Sequence, residues 1–202
     1  MKIGVLALQG NFEKHRDLIE KLGLVPVLIR YPNQLDKVEG LIIPGGESTT
    51  LTKLMENNFF YDPLVAFAGN NSILGTCAGL IMLAKRVDDP RIKPLQLIDI
   101  SIIRNRYGPQ VNSFSQSIPV KLGNKEIVIP ATFIRAPQIE KIGSTVEILA
   151  VYNNDVVAVR EKNHLGIAFH PEMDNVSVFH EWLFNNPQKS NFQNNTAISY
   201  AA

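Results

Sequence analysis

Residues 72–85 read Ser72-Ile73-Leu74-Gly75-Thr76-Cys77-Ala78-Gly79-Leu80-Ile81-Met82-Leu83-Ala84-Lys85. The short run Ser72 to Gly75 predicts a buried strand, and Ala78 to Lys85 is a run of good helix formers. Between them Cys77 stands in a Gly-x-Cys-x-Gly turn. A strand passing through such a turn into a helix is a nucleophile elbow with Cys in place of Ser. The flanking glycines let neighbouring chain pass close to the nucleophile, and the start of the helix favours the thiolate electrostatically. By itself a lone cysteine reads as a small buried hydrophobe. The paired glycines and the strand-to-helix setting favour the nucleophile.

Upstream, the same alternation repeats. Ile3 to Leu8 reads as a strand, stopped by Gln9-Gly10; Asn11 can cap a helix with Glu13 in its first turn. Leu18, Ile19 and Leu22 share one helical face, and Gly23 suits the left-handed residue that ends a helix. Val25 to Ile29 and Gly40 to Ile43 are further strands, the second halted by Pro44-Gly45-Gly46. A helix begins at Glu47-Ser48-Thr49-Thr50, and another covers Asp62 to Ala68. This βαβ order implies an α/β domain with a parallel sheet, where ligands collect at the carboxyl ends of the strands. The second half is strand-rich: Leu97 to Ile103, Ile118 to Leu122, Glu126 to Ile129, Thr132 to Ile134, Val146 to Val151, Val156 to Arg160 and Leu165 to Phe169. Short Asn, Gly and Pro loops between them point to hairpins, hence antiparallel additions to the sheet. A last helix is expected over Asn175 to Phe184. Residues 1–185 read as one domain, and 186–202 as an Asn/Gln-rich tail expected to be poorly ordered.

Composition narrows the function. The 202 residues carry 20 Lys plus Arg against 19 Asp plus Glu, a net charge of +1 that offers no footprint for nucleic acid or a membrane surface. No apolar run approaches the ~18 residues of a membrane-spanning helix. A single cysteine excludes an internal disulfide, which fits a cytoplasmic protein. With one Cys and no close His pair, no metal is expected.

Two further segments bear on chemistry. Phe169-His170-Pro171-Glu172 follows an apolar run, and in extended chain His170 and Glu172 would face one side, Glu172 orienting an imidazole that deprotonates a thiol. Pro44-Gly45-Gly46-Glu47-Ser48 ends a strand and opens a helix, where backbone N–H groups can hold an oxyanion. His15 and His180 lie in helical patterns and His164 in a polar turn; all three read as ordinary structural histidines.

Taken together, Pro44-Gly45-Gly46, Gly75-Thr76-Cys77-Ala78-Gly79 and His170-Pro171-Glu172 resemble the three signatures of class I, triad-type glutamine amidotransferases. More narrowly, the chain to about Phe184 is similar to the glutaminase subunits of pyridoxal 5′-phosphate synthases. Gly4 to Gly10, Gly45 to Thr50, Arg104 to Gly108 and Phe133 to Pro137 carry this narrower likeness, although Pro109-Gln110 stands where the family has Arg-Gln. The resemblance implies a flavodoxin-like three-layer sandwich with a mostly parallel central sheet. It implies that Cys77 attacks the glutamine side-chain amide, His170 relays the proton and Glu172 orients it. The γ-glutamyl thioester is then hydrolysed to glutamate while ammonia passes on. Backbone N–H groups at Gly46 and Ala78 would hold the oxyanion, and Gly46, Glu47, Ser48, Arg104, Ile134 and Arg135 would contact L-glutamine. No cofactor is implied. The implied partner is a barrel synthase subunit in a hetero-oligomer, docking near Gln9-Gly10, Gly45-Gly46 and the first helix. Feeding a different acceptor, or serving as an inactive binding module, are the competing readings.

Overall fold

The strands that carry the three signatures all end at one edge of a single sheet. The computed structural model describes residues 1–104 and 113–185. The expectations for 105–110 and for the tail 186–202 lie outside the described residues. Along the chain come β1 (Lys2–Leu6), α1 (Phe12–Lys21), β2 (Val25–Ile29), a 3-10 turn (Pro32–Lys37), β3 (Gly40–Ile43), α2 (Ser48–Asn57), α3 (Tyr61–Ala68), β4 (Ser72–Thr76) and α4 (Ala78–Leu83). There follow β5 (Ala84–Val87), β6 (Ile98–Ile103), β7 (Phe114–Leu122), β8 (Lys125–Phe133), β9 (Gln138–Ile142), β10 (Glu147–Tyr152), β11 (Asp155–Glu161), β12 (His164–Ile167) and α5 (Val178–Phe184).

Nine strands form the main sheet in the order β2-β1-β3-β4-β12-β11-β10-β7-β8. From β2 to β12 every neighbouring pair is parallel. From β12 outward the pairs are antiparallel. The parallel strands β1, β3, β4 and β12 therefore deliver their C-terminal loops to the same rim. Buried on both faces, they read as near-continuous apolar runs, with all of Ile3 to Leu6 and Gly40 to Ile43 buried.

Side-chain alternation sorts the flanking helices. Thr76 meets His15 of α1, which in turn meets His180 of α5, so these helices share one face. Gly75 and Gly166 point the other way: a Cβ on either would strike Leu83 or Leu80 of α4. On this second face a small sheet, β5-β6-β9, adds to the core through Ile98, Ile100 and Ile102.

Several local expectations change. The helix after Cys77 stops at Leu83, because Ala84 turns extended (ψ 154°) and starts β5. Glu126 to Ile129 and Thr132 to Phe133 are one strand, β8, running through Pro130, and Ile134 lies just past its end; β8 is the last strand of its sheet, and an edge tolerates a residue without an N–H. The last helix begins at Val178, not Asn175, since residues 171–175 form a turn. Asn11 precedes α1 but makes no capping bond; its amide instead reaches Met173 Sδ at 3.7 Å. The left-handed Gly23 is found as expected, with φ 71°.

Candidate active site

Cys77 links β4 to α4 with φ 50° and ψ −102°, a conformation that costs an L-residue roughly 1–3 kcal/mol. The backbone around it enforces this. Cys77 N–H donates to Ile167 O of β12 at 2.8 Å, tying the elbow to the strand that precedes His170. The two glycines of the motif allow the helix to sit against the sheet. A Cβ on Gly79 would lie 1.9 Å from Ile43 O, and one on Gly75 would lie 2.6 Å from the Gly79 carbonyl. Neither position has room for a methyl group.

His170 arrives from the other side. Its N–H is held by Thr132 O at 2.9 Å, and Asp174 accepts both the Thr132 N–H (2.8 Å) and its hydroxyl (2.9 Å). β12 has ended at Ile167, so His170 and Glu172 are not brought together by strand alternation. The turn does it: Met173 N–H donates to His170 O at 3.1 Å and Val176 N–H to Pro171 O at 2.9 Å. Within this turn His170 Nδ1 and Glu172 Oε1 stand 2.7 Å apart, and the Glu172 side chain is fully buried.

His170 Nε2 is buried and makes no hydrogen bond among the described residues. Burial alone would lower this imidazole; the neighbouring Cys77 and Glu172 outweigh it and hold its pKa well above the ordinary value. The Cys77 thiol and Nε2 are not hydrogen-bonded to each other. Gly45 lies between them: a Cβ there would fall 2.5 Å from His170 Cε1 and 3.3 Å from Cys77 Cβ. The thiol's own contact is Ile134 O at 3.8 Å.

The residues expected to hold glutamine group around this centre. Glu47 is the N-cap of α2, accepting from Thr50 N–H at 2.6 Å and from the Thr49 hydroxyl. Although burial opposes ionisation, these bonds lower its pKa to about 2. Arg104 donates to Glu47 and, at 2.8 Å, to Asp89, so Gly46, Glu47, Ser48 and Arg104 form one connected patch. The Ser48 hydroxyl is buried without a hydrogen-bond partner among the described residues, and Gln9 Nε2 donates to Glu47 O at 2.7 Å. Arg135 is exposed and takes a positive φ of 46° just past Ile134. Ala78 opens α4, so its N–H has no acceptor within the helix.

The sequence reading missed Asp89, which fixes Arg104, and the buried pair His15 and His180 behind Glu172. Asp89 carried no signal beyond being an acidic residue in a loop. The histidines offered one: each sits on the apolar face of a helix, where a polar side chain needs a partner.

Among the described residues no helix is long and apolar enough to cross a membrane. Comparison with known proteins gives a consistent picture. The pyridoxal 5′-phosphate synthase subunit PdxT of Dehalococcoides mccartyi strain CBDB1 is 49% identical over 187 residues, covering 91% of this chain and 95% of the relative. The subunit of the same name from Thermosipho africanus is 42% identical over 190 residues, covering 94% of this chain and all of the relative. A glutamine amidotransferase crystal structure superposes with a TM-score of 0.83 at 35% identity, covering 91% and 97% of the two chains. At 16% identity, a putative GMP synthase subunit from Thermoplasma acidophilum (TM-score 0.66, covering 96% and 97%) shares the fold. Residues 5–189 match the SNO glutamine amidotransferase family, and the chain belongs to that family.

Proposed function

We propose that this protein hydrolyses L-glutamine to L-glutamate and ammonia, and that the ammonia passes to a barrel synthase subunit that makes pyridoxal 5′-phosphate. The observation that carries the reading is the convergence of a strained cysteine and a His–Glu pair over the bare backbone of Gly45. That constellation fits acyl transfer. Cys77 Sγ attacks the glutamine Cδ, and the amide π pair moves to oxygen. His170 carries the thiol proton and gives it to the departing nitrogen, which leaves as ammonia when the carbonyl re-forms. Water, deprotonated by His170, then attacks the γ-glutamyl thioester, and Cys77 leaves as thiolate. In this reading the backbone N–H groups of Gly46 and Ala78 hold the oxyanion of each step.

The α-amino acid end needs an anion partner and acceptors. Glu47 and the unpartnered Ser48 hydroxyl supply acceptors beside the α-ammonium. Arg104 is already engaged by two carboxylates, whereas Arg135 makes no ion pair among the described residues, so Arg135 is the freer to take the α-carboxylate. The partner assignment follows the named role of the PdxT relatives. Glutamate release from glutamine, measured with and without the cognate barrel subunit, tests both parts. Release that rises with the partner supports the reading. Release that ignores the partner removes the coupling, and none in either case removes the activity.

A further inference from the structure

Behind the triad lie two histidines that the reaction above does not use. His15 of α1 and His180 of α5 are both 0% exposed, with His15 Nδ1 3.0 Å from His180 Nε2. The other nitrogen of His15, Nε2, lies 3.2 Å from the hydroxyl of Thr76, the residue preceding the nucleophile. It also lies 3.4 Å from Glu172 Oε2. This is the carboxylate oxygen that His170 leaves free, and it is buried with no hydrogen bond among the described residues. A buried carboxylate with one oxygen unserved is costly, so a facing N–H matters here more than it would in water.

The contacts select one tautomer of each ring. If His15 carried its proton on Nδ1, its Nε2 lone pair would face the Glu172 carboxylate. His180 Nε2 would then have to accept, which would put its proton on Nδ1, a buried atom with no partner among the described residues. An orphaned N–H is the rarer and costlier defect. With the proton on His15 Nε2, that N–H faces Thr76 Oγ1 and Glu172 Oε2. His15 Nδ1 accepts from His180 Nε2–H, and only a lone pair on His180 Nδ1 is left unserved. All donors then point one way, from α5 through α1 toward the triad.

We propose that His15, locked in its Nε2–H tautomer by His180, is a positioning residue that braces the second oxygen of Glu172 and so aims the His170 imidazole at Cys77. The brace is a neutral one. Burial, reinforced by His180 and His170, drives the His15 pKa well below its ordinary value, and burial lowers His180 to about 3. A neutral donor steadies Glu172 without offering a competing cation that would draw it from His170. Metal-bound histidines are held in the same way, an outer partner fixing the tautomer and the orientation of the ring.

This inference rests on the glutamine-hydrolysing reading of the Cys77 site, and its test separates the two. Nitrogen-15 NMR of histidine-labelled wild-type protein should show His15 as the neutral Nε2–H tautomer from pH 6 to pH 8. A neutral Nδ1–H tautomer, or an imidazolium, overturns the proposal without any variant being made. In the complex with its synthase partner, His15→Leu should lower kcat for glutamine by about 10–100-fold with KM within about twofold. His15→Gln, which keeps an N–H at the Nε2 position, should recover most of that loss. A His15→Leu enzyme with unchanged kcat, or a His15→Gln enzyme as slow as His15→Leu, refutes the role. Alkylation of Cys77 by iodoacetamide reads the same brace without glutamine turnover, slowed in His15→Leu and restored in His15→Gln. A wild-type complex inert toward glutamine therefore sinks the glutaminase reading alone.

Discussion

Acidification should uncouple the back of the site before it affects most carboxylates. His15 and His180 are wholly buried and neutral in the fold, whereas the unfolded chain protonates both near pH 6.5. Their folded pKa values are depressed, so the unfolded state binds more protons as pH falls, and stability is lost below 6.5. Between pH 6 and pH 5 each such imidazole costs about 1.2 kcal/mol, and the pair about 2.4 kcal/mol. His170 does not offset this. Its folded pKa is raised, so its contribution is complete below 6.5 and lost only as pH rises through the elevated value. Urea unfolding of wild type and of a His15→Gln/His180→Leu double variant at pH 6 and pH 5 isolates the pair. Wild type should lose about 2.4 kcal/mol more than the variant across this unit, a large share of a domain's ~5–15 kcal/mol. A difference of only about 1.2 kcal/mol would mean that one ring already carries a proton inside the fold, and equal losses that both do; either way the neutral chain behind Glu172 would be wrong.

Other consequences are direct. Replacing Cys77 by Gly should give a protein at least as stable in thermal melts as Cys77→Ala, by about 1 kcal/mol, because φ 50° suits only glycine; elsewhere the order is reversed. Gly79→Ala should destabilise by about 3 kcal/mol or more, since its Cβ would meet Ile43 O at 1.9 Å, and a denaturation midpoint equal to wild type would contradict the packing of the elbow. Asp89→Asn weakens the anchor of Arg104 away from the reacting atoms, so KM for glutamine should rise several-fold with kcat nearly unchanged; a fall in kcat alone would place Asp89 in a different role.

How much of this was legible beforehand varies from element to element. The elbow was, because Gly75, Cys77 and Gly79 stand between a short apolar strand and a helix, and each glycine is required by a backbone approach. The parallel half of the sheet was legible for a related reason: β1, β3, β4 and β12 are buried on both faces and set off by turn residues. The three-stranded sheet was not seen. Ala84 and Lys85 favour helix by propensity, and only their pairing with Ile98–Ile103 makes them a strand, a tertiary preference that local sequence does not encode. His170 and Glu172 were rightly placed together but through the wrong geometry, since a turn stabilised from Thr132 and Asp174 does what strand alternation was expected to do. The His15–His180 pair was hidden by distance, its partners being 165 residues apart.

The central claim is that Cys77 is the acyl acceptor, and the most direct measurement is mass spectrometry of acid-quenched complex turning over carbon-13 glutamine. The account predicts a labelled γ-glutamyl group on the peptide containing Cys77, absent in Cys77→Ala together with all glutamate release. Glutamate formed at an undiminished rate by Cys77→Ala, or label carried by another residue, would contradict it.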